Sequence, residues 1–140
     1  MNFFSWLLLG HMIGDYLLQN KWMAMNKSGS TWKCTVHCLL YTFAVAISTL
    51  HYISLWQWWA VIFISHFVID RWSLADKWLG FINGRSLTDY ITNGKKDIPS
   101  EMDQENYHAL RGGFVALVYA ATDNTMHLIL MVCGWYLVAT

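Results

Sequence analysis

Three histidine–aspartate pairs, each with a spacing of four residues, interrupt stretches that are otherwise almost free of charge. They are His11 with Asp15, His66 with Asp70, and Asp123 with His127. Four residues is about one helical turn, so each pair falls on one helix face. The flanking runs FFSWLLLG, VIFIS, LVYAA and LILMV have the composition of helix that faces hydrocarbon. A carboxylate near the centre of a bilayer costs roughly 2.5–3.5 kcal/mol on insertion scales, so it persists where something compensates it. A metal ion shared by several pairs is the simplest compensator. His37 adds a fourth imidazole without an acid at helical spacing. Four imidazoles and three carboxylates exceed one tetrahedral zinc site. They suit one metal with Asp–His contacts behind its ligands, or two metals bridged by carboxylates. The expected metal set is therefore His11, Asp15, His37, His66, Asp70, Asp123 and His127, with Asp15, Asp70 and Asp123 as the carboxylates of any catalysis. Zinc is the first expectation, with manganese and iron as alternatives. The same residues could also relay protons or ions, or tie helices together.

The elements that carry these residues follow from composition. The chain has 140 residues, of which 56% are apolar and 13% charged. A soluble domain carries about 25% charged residues, so this composition predicts a single integral membrane domain. A net charge of zero gives no argument for a nucleic-acid partner. Membrane lipid is the expected surrounding, and self-association into a homo-oligomer is compatible with it. A span needs about 20 apolar residues. The runs predict spans at about 3–20, 33–50, 56–78 and 112–138, joined by a cytoplasmic loop at about 80–111. MNFFSWLLLG lacks a basic leader and reads as a retained first span. The expected fold is all-α: a four-helix antiparallel transmembrane bundle, with a short cytoplasmic interfacial helix before the last span. Cys34, Cys38 and Cys133 read as small apolar packing residues.

Charge sets the orientation. All nine lysines and arginines fall at or between the ends of spans one and two, or of spans three and four. The positive-inside rule then puts both basic loops in the cytoplasm and both termini outside, in a bacterial inner membrane. Trp6, Trp56, Trp58, Trp59 and Trp135 are expected at the outer interface, and Trp22, Trp32, Trp72 and Trp78 at the inner one. In this frame every Asp lies on the cytoplasmic side of its His. At about 1.5 Å per residue, Asp15 sits about 9 Å from Lys21 and Asp70 about 10 Å from Lys77, but Asp123 sits about 18 Å from Arg111. A bend at Gly112-Gly113 would reconcile the third depth. Gln19, Ser73 and Lys77 extend the polar stripes and read as interfacial anchors. Asn83-Gly84 and Asn93-Gly94 signal turns. Ser100 and Asp103 resemble a capping box, with Ile98 as staple, for an interfacial helix at about 100–110. His51 reads as a solvated loop residue, and His108 with Asp103 is placed to close over the site from the cytoplasm.

Several familiar signals are missing from the sequence: H-E-x-x-H, G-x-S-x-G, the Walker A loop and the dinucleotide glycine fingerprint. With no placed serine or cysteine nucleophile, activated water is the natural attacking group.

The motifs resemble those of a family of small bacterial and phage membrane proteins, the domain-of-unknown-function family 3307. Its opening motif, similar to H-x-x-G-D-F-x-L-Q-x-x-W-M, stands here from His11 through Gly14, Asp15, Gln19 and Trp22. Its H-F-x-I-D motif is matched by His66 to Asp70. Its D-Q-x-x-H-L motif is matched by Asp123 to Leu128, with Asn124 replacing Gln. The family also carries a histidine in its second span, which His37 matches. The resemblance implies this site without an activity. The residues lead to three functional expectations. The first is metal-dependent hydrolysis of a lipid-like or lipid-linked ester or phosphoester. In that case Arg71, Lys77 and Arg85 would attract an anionic headgroup. The second is proton or ion conduction. The third is a phage-type membrane interaction or exclusion protein.

Overall fold

The fold is taken from a computed structural model, which describes residues 2–53, 56–84, 87–93 and 104–139. Every element among the described residues is helical. The order is α1 (Phe3–Met12), a π turn (Ile13–Leu17), α2 (Lys21–Ala24), α3 (Thr31–Thr49), α4 (Trp56–Arg71), α5 (Leu74–Asn83), α6 (Leu87–Asn93) and α7 (Gln104–Ala139). Side-chain caps set three of the starts. Asn2 accepts the N–H of Ser5 at 3.0 Å, Asn20 that of Met23 at 3.0 Å, and Ser30 that of Lys33 at 3.5 Å. Each satisfies a donor that the first helical turn leaves orphaned.

The backbone divides into two compact units. The first holds the residues up to Trp72 and those from His127 onward. In it, α1, α3, α4 and the last part of α7 form a ring of antiparallel neighbours. Gly10 lies against Val45 and Gly14 against Tyr41, so α1 and α3 run in opposite directions. Thr49 pairs with Trp58 and His37 with His66 between α3 and α4. Gly134 meets Val61, and His127 meets His66, between α4 and α7. Phe3 stacks on Trp135, and His11 faces His127, between α7 and α1. The close approach of α1 to α3 needs glycine: a Cβ on Gly14 would stand 2.6 Å from Tyr41 Cδ2 and 3.1 Å from Tyr41 Cα. The apolar core of this unit is Leu7, Tyr41, Val45, Ile53, Trp58, Ile62 and Met131.

Trp58 belongs to that core and not to an exposed belt. It is fully buried, and its indole N–H points to Thr49 Oγ1 at 3.4 Å. A tryptophan beside other tryptophans reads as an interfacial anchor by composition, but α4 turns Trp58 inward and leaves Trp56 exposed.

Helix boundaries differ from the predicted spans at three places. The first helix ends at Leu17, because Asn20 starts α2 as its cap. The stretch 56–78 breaks at Trp72-Ser73, where Ser73 takes a left-handed φ of 48° and α5 restarts. The last helix runs unbroken from Gln104 to Ala139, so the described part of the expected interfacial helix is continuous with the last span through Gly112-Gly113. Gly112 serves packing: the Tyr90 ring lies 3.2 Å from where its Cβ would be. Among the described residues, one stretch of helix, Ala109–Val138, is by itself long and apolar enough to cross a bilayer. With 10 and 16 residues, α1 and α4 rise about 15 and 24 Å, short of the roughly 30 Å of hydrocarbon.

The second unit, Ser73–Met126, contains α5, α6 and the first part of α7. Gly84, with φ 60°, ends α5 at the turn that Asn83-Gly84 signals. Asp76 on α5 accepts the N–H groups of Leu87 at 2.6 Å and Thr88 at 3.4 Å, which caps α6 from outside. The second turn signal at Gly94, the capping box of Ser100 and Asp103, and Arg85 lie outside the described residues, as does the side chain of His108. His51 is exposed in the turn after α3.

Candidate metal centre

Six of the seven predicted site residues belong to the first unit, and the ring of helices brings them together. They are His11 on α1, Asp15 on the π turn, His37 on α3, His66 and Asp70 on α4, and His127 on α7. Asp123 stands one turn before His127 on α7 and belongs to the second unit. The four histidines and Asp70 are at most 2% exposed, and the Asp15 side chain is 10% exposed.

At the centre, His37 Nε2 and His66 Nε2 face each other at 2.9 Å. Asp15 Oδ1 lies against both nitrogens, at 3.3 and 3.5 Å. Asp70 Oδ2 also lies against both, at 3.1 and 3.2 Å. Donor atoms held at about 2.0–2.1 Å by one cation sit about 3 Å apart at right angles and about 3.4 Å apart in a tetrahedron. The observed separations bracket these values. Gln19 Nε2 is 3.2 Å from His37 Nε2. One imidazole nitrogen therefore has four polar neighbours, although it carries a single proton or a single lone pair. The convergence is geometrically able to hold a metal ion.

The outward oxygens of the two carboxylates are held by other groups. Asp15 Oδ2 lies 3.4 Å from His11 Nδ1, which is itself 2.8 Å from the Tyr41 hydroxyl. That hydroxyl donates on to Met131 Sδ at 3.2 Å. Asp70 Oδ1 takes Lys27 Nζ at 2.9 Å and His127 Nε2 at 3.5 Å. The rings stack as well. His66 lies between Tyr41, at 3.6 Å between centroids, and His127, at 4.0 Å. Of the two arrangements open from the sequence, aspartates behind the imidazoles or carboxylates among the ligand atoms, the second matches these separations. Asp15 and Asp70 meet the central nitrogens of His37 and His66, whose Nδ1 atoms are buried without hydrogen-bond partners. His11 and His127 stand behind the carboxylates instead.

Local sequence explains the placement. The π turn carries Asp15, with Leu18 N–H bonding to Ile13 O at 3.0 Å. Such turns are uncommon and concentrate at functional sites. Gly14 lets Tyr41 close beside it. Lys27 and Tyr41 escaped the sequence reading, and Gln19 and Cys38 were noted without a definite role. Lys27 reads as a topogenic charge, yet it enters from the turn after α2. That turn is strapped down by Arg71, whose guanidinium donates to Ser28 O and, at 3.3 Å, to Thr31 Oγ1. Gln19 reads as an anchor and reaches His37. Tyr41 lies one helical turn after His37 and Cys38 follows His37 directly, but only the fold shows which way they turn. Cys38 groups with His66 and Asp70 as donor atoms within 4.8 Å of one another.

No curated protein and no solved structure shows significant similarity to this chain. The match to a family covers residues 3–140, so the chain belongs to the DUF3307 family of proteins of unknown function.

Proposed function

We propose that this chain is a multi-pass protein of the bacterial inner membrane, with its termini outside, whose His/Asp cluster holds a divalent cation for hydrolysis of a lipid-like ester or phosphoester. The observation that carries the cation is the convergence of two carboxylates, two imidazoles and an amide on the 2.9 Å gap between His37 and His66. The membrane setting rests on the apolar surface, with Leu17 at 76%, Phe43 at 62%, Ile64 at 60% and Leu137 at 81% exposure, and on the grouping of basic residues toward two loops. It requires α1 and α4 to cross with their flanking turns or under a locally thinned bilayer. Asp123 remains a proposed participant through its place one turn before His127.

Zinc is the preferred cation, ahead of manganese and iron, because imidazole and carboxylate donors at this spacing suit it. A bound divalent cation would lower the pKa of water toward about 7 and polarise the scissile group. His37, His66 and Asp15 make a three-residue ligand set, the number that leaves a position open for water. Asp70 Oδ2 faces the same two imidazole nitrogens and would bind the cation as an exchangeable ligand, able to accept a proton from the water that displaces it, with Lys27 fixing its far oxygen. His127 lies beside the same carboxylate to pass the proton onward.

A second reading, proton or ion conduction, draws on a different observation. His11, Tyr41, His66 and His127 form an unbroken string of ring contacts across the bundle.

The test is metal content of the untagged, detergent-purified full chain, measured by mass spectrometry beside His66→Ala and Asp70→Asn, followed by hydrolysis assays on phospholipid and lipid-linked phosphoesters. Stoichiometric zinc that is lost in both variants while helicity survives, with turnover lost in Asp70→Asn, is the expected result. Empty wild-type protein that resists reloading, together with a pH-dependent liposome flux abolished by His66→Ala, would replace hydrolysis with conduction.

A further inference from the structure

Two buried thiols stand beside the cluster, and the proposed hydrolysis leaves them without a role. Cys34 and Cys38 are fully buried, one turn apart on α3, on either side of His37 in sequence. Their sulfurs are 3.8 Å apart. Two thiolates on one tetrahedral cation, each at about 2.3 Å, lie about 3.8 Å apart by geometry. Cys38 Sγ, a His66 nitrogen and an Asp70 oxygen all lie within 4.8 Å of one another. Apolar packing accounts for the burial of a cysteine. It does not account for sulfur, imidazole and carboxylate converging in a site already crowded with donors.

We infer that Cys38, His66 and Asp70 form a second, thiolate-containing cation position that overlaps the first at His66, with Cys34 as its nearest further ligand. The inference rests on the cation reading above and deepens it by naming the ligand class that selects the metal. Thiolate donors favour zinc and other borderline-soft cations over magnesium, calcium and manganese. The thiol must lose its proton to become a ligand, so loading this position releases that proton to solvent as the sulfur–cation bond forms. No oxidant or reductant is involved. Because His66 serves both positions, a cation held between Asp15, His37 and His66 can gain the Cys38 sulfur by a small displacement, without leaving the protein.

The test is zinc-edge X-ray absorption of the full chain in detergent, loaded with one equivalent of zinc and freed of excess. The expected shell contains sulfur at about 2.3 Å together with nitrogen and oxygen at about 2.0–2.2 Å. Cys38→Ser is expected to give a shell of nitrogen and oxygen alone, and Cys34→Ser to retain sulfur. The wild-type spectrum needs no variant to fold, so it decides by itself. A nitrogen/oxygen shell in wild type overturns the thiolate position and leaves the His/Asp site standing. Sulfur that persists undiminished in Cys38→Ser also overturns the assignment. A chain that retains no zinc removes both.

Discussion

Lys27→Met separates the role of the cation from that of the fold. Lys27 Nζ lies 2.9 Å from Asp70 Oδ1, and the two side chains are 13% and 0% exposed. In metal-free protein the ammonium places a formal positive charge on the buried Asp70 carboxylate, and removing one partner of a buried pair typically costs about 3–5 kcal/mol. The metal-free variant should therefore unfold markedly earlier on heating. In loaded protein the sign reverses. A cation bound to Asp70 Oδ2 would sit roughly 5 Å from Lys27 Nζ, given a bond of about 2.1 Å. At an effective dielectric of about 20, the repulsion between a divalent cation and the ammonium is about 7 kcal/mol as a ceiling, so Lys27→Met should tighten zinc binding by about tenfold or more. Competition against a chromophoric chelator measures the affinity, and thermal unfolding with and without zinc measures the stability. The variant should lose stability without zinc and recover most of it with zinc. Weaker zinc binding in Lys27→Met, or equal destabilisation in both states, would refute the placement of a cation beside Asp70.

Other perturbations have equally definite expectations. Gly14→Ala should destabilise the bundle by about 1–3 kcal/mol, because its Cβ meets Tyr41 backbone as well as ring; detergent-phase unfolding that matches wild type would contradict the close α1–α3 contact. Tyr41→Phe removes the hydroxyl 2.8 Å from His11 and should cost about 1–3 kcal/mol for the buried partner left behind, read by the same unfolding assay with zinc content unchanged. Chelator treatment of wild type should lower the unfolding temperature, and zinc should restore it where magnesium does not. Cysteine labelling from either side of intact vesicles should find residues near 2 and 139 outside and residues near 95 inside. Labelling of both ends from the cytoplasmic side would contradict the proposed topology.

The part of the site set by helical period was legible in the sequence. His66 with Asp70 shares one face of α4, and the charge-free run before His66 marks that face as buried. His11 with Asp15 was legible as a pair but not as a geometry, because four-residue spacing assumes an α-helix and Asp15 sits on a π turn. Lys27 was not legible. Its position depends on the turn between α2 and α3 and on Arg71 holding that turn, a contact across more than forty positions of sequence. The break at Ser73 escaped for a different reason. The residues on either side are apolar or interfacial, and a left-handed serine leaves no trace in hydropathy. Gly112 has a packing partner that the sequence did not show, since the Tyr90 ring lies 3.2 Å from where its Cβ would be.

The order of the helices along the chain has a consequence for biogenesis. Asp15, His37, His66 and Asp70 are supplied by the π turn, α3 and α4, all within the first 70 residues. Synthesis proceeds from the N-terminus, so the carboxylate–imidazole core can assemble before the ribosome reaches α7. At that stage His127 is absent, and the nascent hairpins hold two acidic groups that would resist burial. A cation captured then would act as an assembly factor, drawing α1, α3 and α4 together and presenting a finished groove to the last helix. Metal supply during translation, rather than after it, would then govern how much of the chain reaches its folded state.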